Sequence, residues 1–200
     1  MDTFQAIKKR RSVKHYKRKH KMTEREVNQL MRMAVLSPTS FNIQNWRFVL
    51  VRDSGLREKI KDAAWGQNQF ADASLLIILC ADLKFWARKP RRYWRNAPKP
   101  VQDHFVGIIE NYYRKSKQNQ RDEAMRSGGI VAQTIMLAAK AMGYDTCPMV
   151  GFDFKRVARI IKLPKDHVIA MAVVVGKAAR PARPRGGQLP LDEVVVWDRF

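Results

Sequence analysis

Cationic and hydroxyl side chains are concentrated near the N-terminus, in KKRRSVKHY at residues 8–16. Arg10 and Arg11 provide guanidinium groups, which hold phosphate oxygens through paired hydrogen bonds, and Lys14 adds an ammonium group. Ser12 offers a hydroxyl that suits a polar sugar chain beside such a phosphate. The segment therefore predicts a site for a phosphorylated small molecule. A solvated basic arm is the alternative.

A second polar segment, SPTSFNIQNW at residues 37–46, contains hydroxyl and amide groups but no charged side chain before Arg47. Thr39, Ser40 and Asn42 can donate and accept hydrogen bonds at the edge of a heterocycle or along a ribityl chain. The alternative is a turn that ends a helix and satisfies its own backbone through these side chains.

Two further segments offer neutral hydrogen-bonding groups. GQNQ at residues 66–69 places Gln67 and Gln69 just before a predicted strand. CPMVGFD at residues 147–153 places Gly151, with an accessible backbone N–H, just before a predicted helix. A plain loop and a tight turn are the respective alternatives.

The common side-chain arrangements of hydrolases and nucleotide-binding proteins are missing. The sequence has no GxSxG, no HExxH, no P-loop and no GxGxxG after a strand. We expect His15 and His20 to be solvated, and Cys80 and Cys147 to be buried reduced thiols rather than a disulfide or metal ligands. If the protein is an enzyme, a cofactor must carry the reaction, with no metal and no catalytic side chain.

Length and composition indicate one α+β domain over residues 1–200, with a formal net charge of +21. Two stretches without acidic residues, 8–21 and 84–102, would attract polyanions or phosphorylated small molecules, or serve solubility. The apolar runs are too short to cross a bilayer, and the N-terminus lacks the apolar region of a secretory signal. We therefore expect a cytoplasmic protein.

Periodicity predicts helices that alternate with strands. Thr23 and Glu26 form a candidate capping box, Asp153 is a candidate N-cap, and Gly143 is a candidate C-cap. Residues 84–102 contain three prolines and predict a loop. The predicted helices are 23–36, 56–65, 103–117, 121–143 and 153–163, and the predicted strands are 46–51, 74–82, 168–178 and the tail segment EVVVW at 193–197.

Taken in order along the chain, five segments resemble the nitroreductase family of FMN-dependent oxidoreductases. They are RRSVKHY, SPTSFNIQNW, GQNQFADAS, GGIVAQTIMLAAKAMGYDTCPMVGFD, and VVVGKA followed by a tail with LPLDEVV. The resemblance implies a nitroreductase-like fold with a central, mostly antiparallel sheet flanked by helices. It also implies a homodimer with one FMN in each of two interface sites and an exchanged C-terminal arm, residues 179–200, that packs on the partner.

The resemblance further implies which residues bind FMN. Arg10, Arg11 and Ser12 would contact the phosphate and ribityl chain, and Lys14 would lie at the N1/C2 side, where positive charge stabilises the anionic reduced flavin. The remaining implied contacts are Pro38, Thr39, Ser40 and Asn42 from the other subunit, Gln67 and Gln69 at the pyrimidine edge, and the backbone around Met149, Val150 and Gly151 at N5.

The sequence departs from the family at two places. Asn45 stands where many members have proline, which changes the turn without removing a ligand. Gly186, Gly187 and Gln188 occupy the region where the family has basic phosphate ligands, so Arg183 or Arg185 is expected to substitute.

The implied reaction is ping-pong: NAD(P)H passes a hydride to flavin N5 and leaves, and an electron-poor acceptor such as a nitroaromatic or quinone then takes two electrons. The basic charge favours NADPH over NADH. We interpret 84–102 as a substrate-facing insertion or, alternatively, a surface excursion. The candidate substrate-facing aromatic residues are Phe41, Trp86, Tyr93 and Trp94.

Two other functions are compatible with parts of the sequence. A flavin-binding protein without turnover would share the cofactor residues but would not be reduced by NADPH. A basic nucleic-acid-binding protein would use the cationic stretches with their aromatic residues. The absence of an RNP-like motif or helix-turn-helix counts against nucleic acid as a partner.

Overall fold

Four antiparallel strands in the order β1-β2-β4-β3 form the centre of the molecule, and helices cover both faces of the sheet. The computed structural model describes residues 1–200. The strands are β1 (Trp46–Val51), β2 (Leu75–Asp82), β3 (Asp145–Met149) and β4 (His167–Gly176). The helices are α1 (Thr3–Lys9), α2 (Glu24–Ala34), α3 (Ser54–Ala63), α4 (Gln69–Asp72), α5 (Lys99–Arg114), α6 (Lys117–Ala141), α7 (Phe154–Ile160) and α8 (Leu191–Val194). Short 3-10 turns occur at Ser40–Asn42, Phe85–Ala87 and Pro90–Trp94.

The central strand β2 is buried along its whole length, as its continuous run of branched residues predicts. Leu76 and Ile78 face a layer formed with α3 and α7, whereas Ile77 and Leu79 face a layer formed with α2 and α6. Each fully buried Leu or Ile contributes about 1.5–3 kcal/mol. Helices on both faces of the sheet therefore stabilise the strands that carry the site described below.

Helix α6 runs across the sheet and contacts all four strands and three other helices. It begins at Lys117, four residues before its predicted start, because the Ser116 side chain caps it by accepting a hydrogen bond from Asn119 N. Gly128 lets this helix approach β4 closely, since a Cβ there would lie 2.5 Å from Cβ of Ala170. Beyond its end, Gly143 has φ +78, as the predicted C-cap requires.

The predicted helix caps are confirmed. Thr23 and Glu26 form a complete capping box at the start of α2. Asp153 accepts a hydrogen bond from a backbone N–H of α7, and Asp53, which was not predicted as a cap, does the same for α3. Cys80 and Cys147 are buried and free, also as predicted.

Several sequence predictions were wrong or incomplete. The tail segment 193–197 is not a strand: α8 and an exposed end occupy this region, because no strand of the chain pairs with it. Residues 84–102 are two 3-10 turns and the start of α5 rather than a loop. His20 is half-buried, with Nδ1 3.0 Å from Ser74 Oγ, rather than solvated.

Among the helices and strands, α1, α4 and β3 were not predicted at all. Helix α1 is short and keeps only Ala6 buried, so it has little apolar periodicity. Strand β3 contains Pro148, which is normally a strand breaker. A proline fits there because β3 is an edge strand, where a missing N–H disrupts no central ladder. None of the helices is long and apolar enough to cross a membrane.

Candidate functional site

The basic N-terminal segment lies against the edge strand β3. Ser12 forms a parallel bridge with Thr146, and Val13 N donates to Thr146 O at 3.0 Å. Burial raises the pKa of the Cys147 thiol, while the nearby charges of Lys14 and Arg10 lower it in part. These contacts place the cationic side chains predicted to bind phosphate beside β3.

Amide groups meet at the other end of β3. Gln67 Nε2 donates to Gly151 O at 2.7 Å, and Gln69 Nε2 donates to Gln67 Oε1 at 3.0 Å and to Met149 Sδ at 3.3 Å. Gln69 is buried, whereas Val150 and Gly151 are exposed. The structure therefore brings these five predicted residues together in one place.

Trp65 belongs to this end of the site, although sequence reasoning missed it. Its side chain is 73% exposed, and its Cζ3 lies 3.9 Å from the position of a Cβ on Gly151. Its φ of 54 is left-handed, which is strained for a bulky aromatic residue. The one signal in the sequence was an aromatic residue directly before the GQNQ segment, at the end of a predicted helix.

The two groups of residues form one strip along β3. From Thr146 to Gly151 the chain advances five residues, which spans about 17 Å of extended backbone. Cationic and hydroxyl groups lie beside Thr146, whose buried Oγ1 has no hydrogen-bond partner. Amide side chains and exposed backbone lie near Gly151. This donor set fits an elongated molecule with a phosphate at one end and a hydrogen-bonding heterocycle at the other.

The C-terminal tail adds arginines near the cationic end of the strip. Arg11 donates to the backbone oxygen of Arg183. Arg185 NH2 donates to Lys8 O at 3.3 Å and to Arg10 O at 3.1 Å, so its guanidinium holds the tail on the N-terminal segment. Arg183 makes no side-chain hydrogen bond or ion pair and is the freer candidate for an anion. These contacts place both residues beside the N-terminal segment, and their role as phosphate ligands stays a prediction.

The turn that carries the second polar segment has an unusual backbone. Phe41, Asn42 and Gln44 have φ values of 50, 54 and 44, in the left-handed region. Gln44 N donates to Thr39 Oγ1 at 3.1 Å, so the turn satisfies part of its own backbone. Pro38 and Asn42 remain exposed, which leaves the outer side of the turn open to another molecule.

Helix α6 holds this turn through a buried carboxylate that the sequence did not reveal. Glu123 is 4% exposed, and its Oε1 accepts from Ser127 Oγ at 2.9 Å and from Ser40 N at 3.4 Å. Its Oε2 accepts from Arg126 NH1 at 2.6 Å. Tyr113 also donates to Ser40 Oγ at 3.2 Å. Glu123 resembles any acidic residue of an amphipathic helix, so no sequence pattern distinguished it.

Residues 84–102, called the basic insertion below, hold the same turn from the other side. Asn42 Nδ2 donates to Tyr93 O at 2.7 Å, and Trp94 Nε1 donates to Phe41 O at 3.1 Å. Tyr93 and Trp86 are buried in a small core with Ile109 and Tyr113 of α5, so their rings do not face solvent. Phe41 and Trp94 are the two aromatic residues of the predicted set that are half-exposed.

Buried charge anchors the insertion to the sheet. Asp82 is fully buried and accepts from Lys84 N at 2.8 Å, and it pairs with Arg47 at 3.3 Å and Arg88 at 3.2 Å. Arg88 also pairs with Asp166. Asp82 and Asp166 lie close to His167, in a group with metal-ligand spacing, but the arginines already neutralise both carboxylates.

The two halves of the candidate site do not meet within one chain. The turn at 39–44 leads into β1, and the strip follows β3, which is the opposite edge of the four-stranded sheet. Three strand spacings separate these edges, roughly 14 Å. No hydrogen bond joins the turn to the strip. The chain is thus an α+β protein whose edge strand β3 carries a donor set that fits a phosphorylated heterocycle.

Comparisons with known proteins identify the class more narrowly. The chain belongs to the nitroreductase family, whose model matches residues 7–177. Protein DrgA of Synechocystis is 48% identical, over 98% of each chain. MhqN of Bacillus subtilis, named provisionally as an NAD(P)H nitroreductase, is 32% identical over 96% of each chain. A protein of Exiguobacterium sibiricum, solved in complex with FMN, is 28% identical with a TM-score of 0.91, covering 98% of this chain and 97% of that one.

Proposed function

We propose that this protein is an FMN-dependent NAD(P)H oxidoreductase that reduces electron-poor compounds such as nitroaromatics or quinones by a ping-pong mechanism. Bound FMN supplies the hydride-accepting and electron-donating atom, N5, that no side chain of the chain provides. The observation that carries the proposal is the strip along β3, with cationic side chains at one end and amide side chains beside exposed backbone at the other.

The N-terminal side of the strip is assigned to the phosphate and sugar. Arg10 and Arg11 hold the phosphate oxygens, with Arg183 or Arg185 as a further cation, and Ser12 binds the ribityl chain. Charge-assisted hydrogen bonds of this kind are roughly twice as strong as neutral ones. The exposed position of Ser12 and the half-buried arginines leave these groups accessible.

The other side of the strip is assigned to the ring. Gln67 and Gln69 bond the pyrimidine edge, and the backbone at Val150 and Gly151 donates towards N5. Lys14 supplies a positive charge beside the N1/C2 edge, which favours added electrons there. Gln67 and Gln69 are already hydrogen-bonded to each other and to β3, so little side-chain order is lost when they bind a ring.

The second half of the site is assigned to another copy of the chain. Two observations support a homodimer: the polar turn lies on the wrong edge of the sheet to reach its own strip, and large apolar side chains are exposed. Phe4 and Leu36 are 76% and 73% exposed, and Trp197 of the tail is 85% exposed. A two-fold dimer would cover such surfaces, with residues 179–200 as an arm on the partner.

The first test is the visible absorption spectrum of the purified protein, followed by anaerobic addition of NADPH and of NADH. We expect the two absorption bands of an oxidised flavin, which bleach with a reduced nicotinamide and return on addition of a nitroaromatic or quinone. A protein that neither carries nor binds FMN would contradict the proposal. Bound flavin that neither donor bleaches would indicate a flavin-binding protein without turnover.

The role of Lys14 is tested by Lys14→Gln with Lys19→Gln as the matched control. Both side chains are exposed and carry the same charge, but only Lys14 lies beside β3. Loss of a charged hydrogen-bonding partner costs about 1.5–3 kcal/mol, so FMN should bind about 10- to 100-fold more weakly to Lys14→Gln. If FMN binding were weakened equally in both variants, the overall positive charge of the protein would account for the effect rather than a contact with Lys14.

A further inference from the structure

A cavity of about 770 Å³ lies between the polar turn at 39–44 and the basic insertion. The turn contributes Asn42 and Gln44 to its wall, and the insertion contributes Arg92, Trp94 and Arg95. Of the residues in its wall, only Asn42 was assigned above to the cofactor. The cavity volume is that of a typical small-molecule site.

The wall of the cavity is cationic and contains no carboxylate. Arg47 also lines it, but its charge is compensated by Asp82 at 3.3 Å. Arg92 lies 5.0 Å from the Tyr93 ring centroid and donates to Tyr93 OH at 3.2 Å, without an acidic partner. Arg95 has no ion pair or side-chain hydrogen bond. Two uncompensated guanidinium groups therefore face one concave space, which favours an anionic ligand.

Neutral side chains complete the wall of the cavity. Trp46 lines it and is 7% exposed. The Asn42 and Gln44 side chains, joined at 3.1 Å, and the half-exposed Trp94 ring add amide groups and a flat surface. The cavity is thus equipped for an oxyanion carried by a ring-containing molecule.

We propose that this cavity binds the phosphorylated adenosine half of NADPH, with the 2′-phosphate on Arg92 and Arg95, and so makes the protein prefer NADPH to NADH. This rests on the proposed function. The two donors differ only by that phosphate, and Asn42 is shared between the cavity and the turn assigned to the partner's cofactor. A donor whose nicotinamide lies on the flavin can therefore extend along the turn into the cavity.

The kinetic test compares Arg92→Gln and Arg95→Gln with Arg91→Gln as the matched control. Arg91 is an exposed arginine of the same segment, is paired with Asp103, and does not line the cavity. We expect each of the first two variants to lower kcat/KM for NADPH about 10-fold, as for one lost charge-assisted contact, and to leave the value for NADH unchanged. Arg91→Gln should change neither value. Equal effects on both donors, or no effect, would overturn the proposal.

A second measurement needs no turnover. Adenosine 2′,5′-bisphosphate and adenosine 5′-monophosphate are titrated into the protein while tryptophan fluorescence is followed, since Trp46 and Trp94 line the cavity. Saturable binding of the bisphosphate alone, lost in Arg92→Gln, is expected even if the protein fails to reduce any acceptor. Absence of bisphosphate binding in a protein that NADPH still reduces would overturn the cavity assignment and leave the proposed function intact.

An oxyanion could also come from the acceptor. Turnover of 4-nitrobenzoate is therefore compared with that of neutral 4-nitrobenzamide at saturating donor. If Arg92→Gln and Arg95→Gln selectively slow nitrobenzoate and leave the NADPH-to-NADH ratio unchanged, the cavity serves the acceptor, and the donor assignment is wrong. The expected result is that the two acceptors are affected alike.

Discussion

Replacing Gly128 by alanine introduces a methyl group where α6 lies closest to the sheet. The new Cβ would lie 2.5 Å from Cβ of Ala170 in β4, well inside the separation that carbon atoms tolerate. At Gly129, the next residue of the same helix, an added Cβ would meet nothing within 4 Å. The two positions therefore share their helical context and differ in the space beside them.

The expected change in the free energy of unfolding follows from two opposing contributions. Alanine is better than glycine inside a helix by about 1 kcal/mol, which should stabilise both variants. Overpacking a close contact costs about 1–3 kcal/mol, which applies to Gly128→Ala alone. We expect Gly129→Ala to be about 1 kcal/mol more stable than wild type, and Gly128→Ala to range from unchanged to about 2 kcal/mol less stable.

Urea unfolding followed by circular dichroism measures the difference, with thermal unfolding as a second measure. A gap of about 1–3 kcal/mol corresponds to about 2–12 °C in Tm for a chain of this length. Protein concentration must be the same for both variants, because an oligomer has a concentration-dependent Tm. Equal stability of the two variants would refute the inference that α6 packs on β4 through a glycine contact.

Two further predictions concern the site and the pH dependence of stability. A Cβ on Gly151 would make only ordinary contacts, 3.5 Å to Gln67 Nε2 and 3.9 Å to Trp65, so Gly151→Ala should leave Tm unchanged. FMN, titrated by fluorescence quenching, should bind to this variant about 10-fold more weakly. Unchanged affinity would argue against a close approach of the Gly151 backbone to FMN. The Tyr144 hydroxyl, with Thr23, lowers the pKa of Glu26 to about 2 from its usual 4.5. A carboxyl whose pKa is lower in the folded than in the unfolded state stabilises the fold at pH values above the unfolded-state pKa, and this contribution is lost as pH falls from 4.5 to about 2. In this pH range Tm should therefore fall more steeply for wild type than for Tyr144→Phe. Parallel curves of Tm against pH would contradict this prediction.

Much of the fold could be predicted from local patterns. Strand β2 is a continuous run of branched residues, and α2 carries both its capping box and its apolar face, so each is specified by its own segment. Strand β3 and α8 could not be predicted in this way. Pro148 is tolerated because β3 lies at an edge of the sheet, and the valines of the tail have no strand to pair with. Both facts are properties of the assembled sheet.

The candidate site likewise contains residues that the sequence could predict and residues that it could not. The residues of the strip became candidates through residue type, their order along the chain and the family resemblance, since Gln67, Gln69 and the arginines have side chains that donate hydrogen bonds or carry charge. Glu123 and Trp65 were missed because their positions become informative only in three dimensions. Trp86 shows the opposite case: an aromatic residue among arginines suggested a ligand surface, but its side chain is buried in the small core that folds the insertion.

The placement of the polar turn and the strip on opposite edges of the sheet has a genetic consequence. If each complete site takes one half from each chain, a chain damaged only in the turn and a chain damaged only in the strip are each inactive alone. In a mixed pair, both defects fall in one site, and the other site is built entirely from undamaged halves. Two defective alleles of the same gene can then restore activity when expressed together, and a cell with one damaged allele keeps an intact site in every mixed dimer.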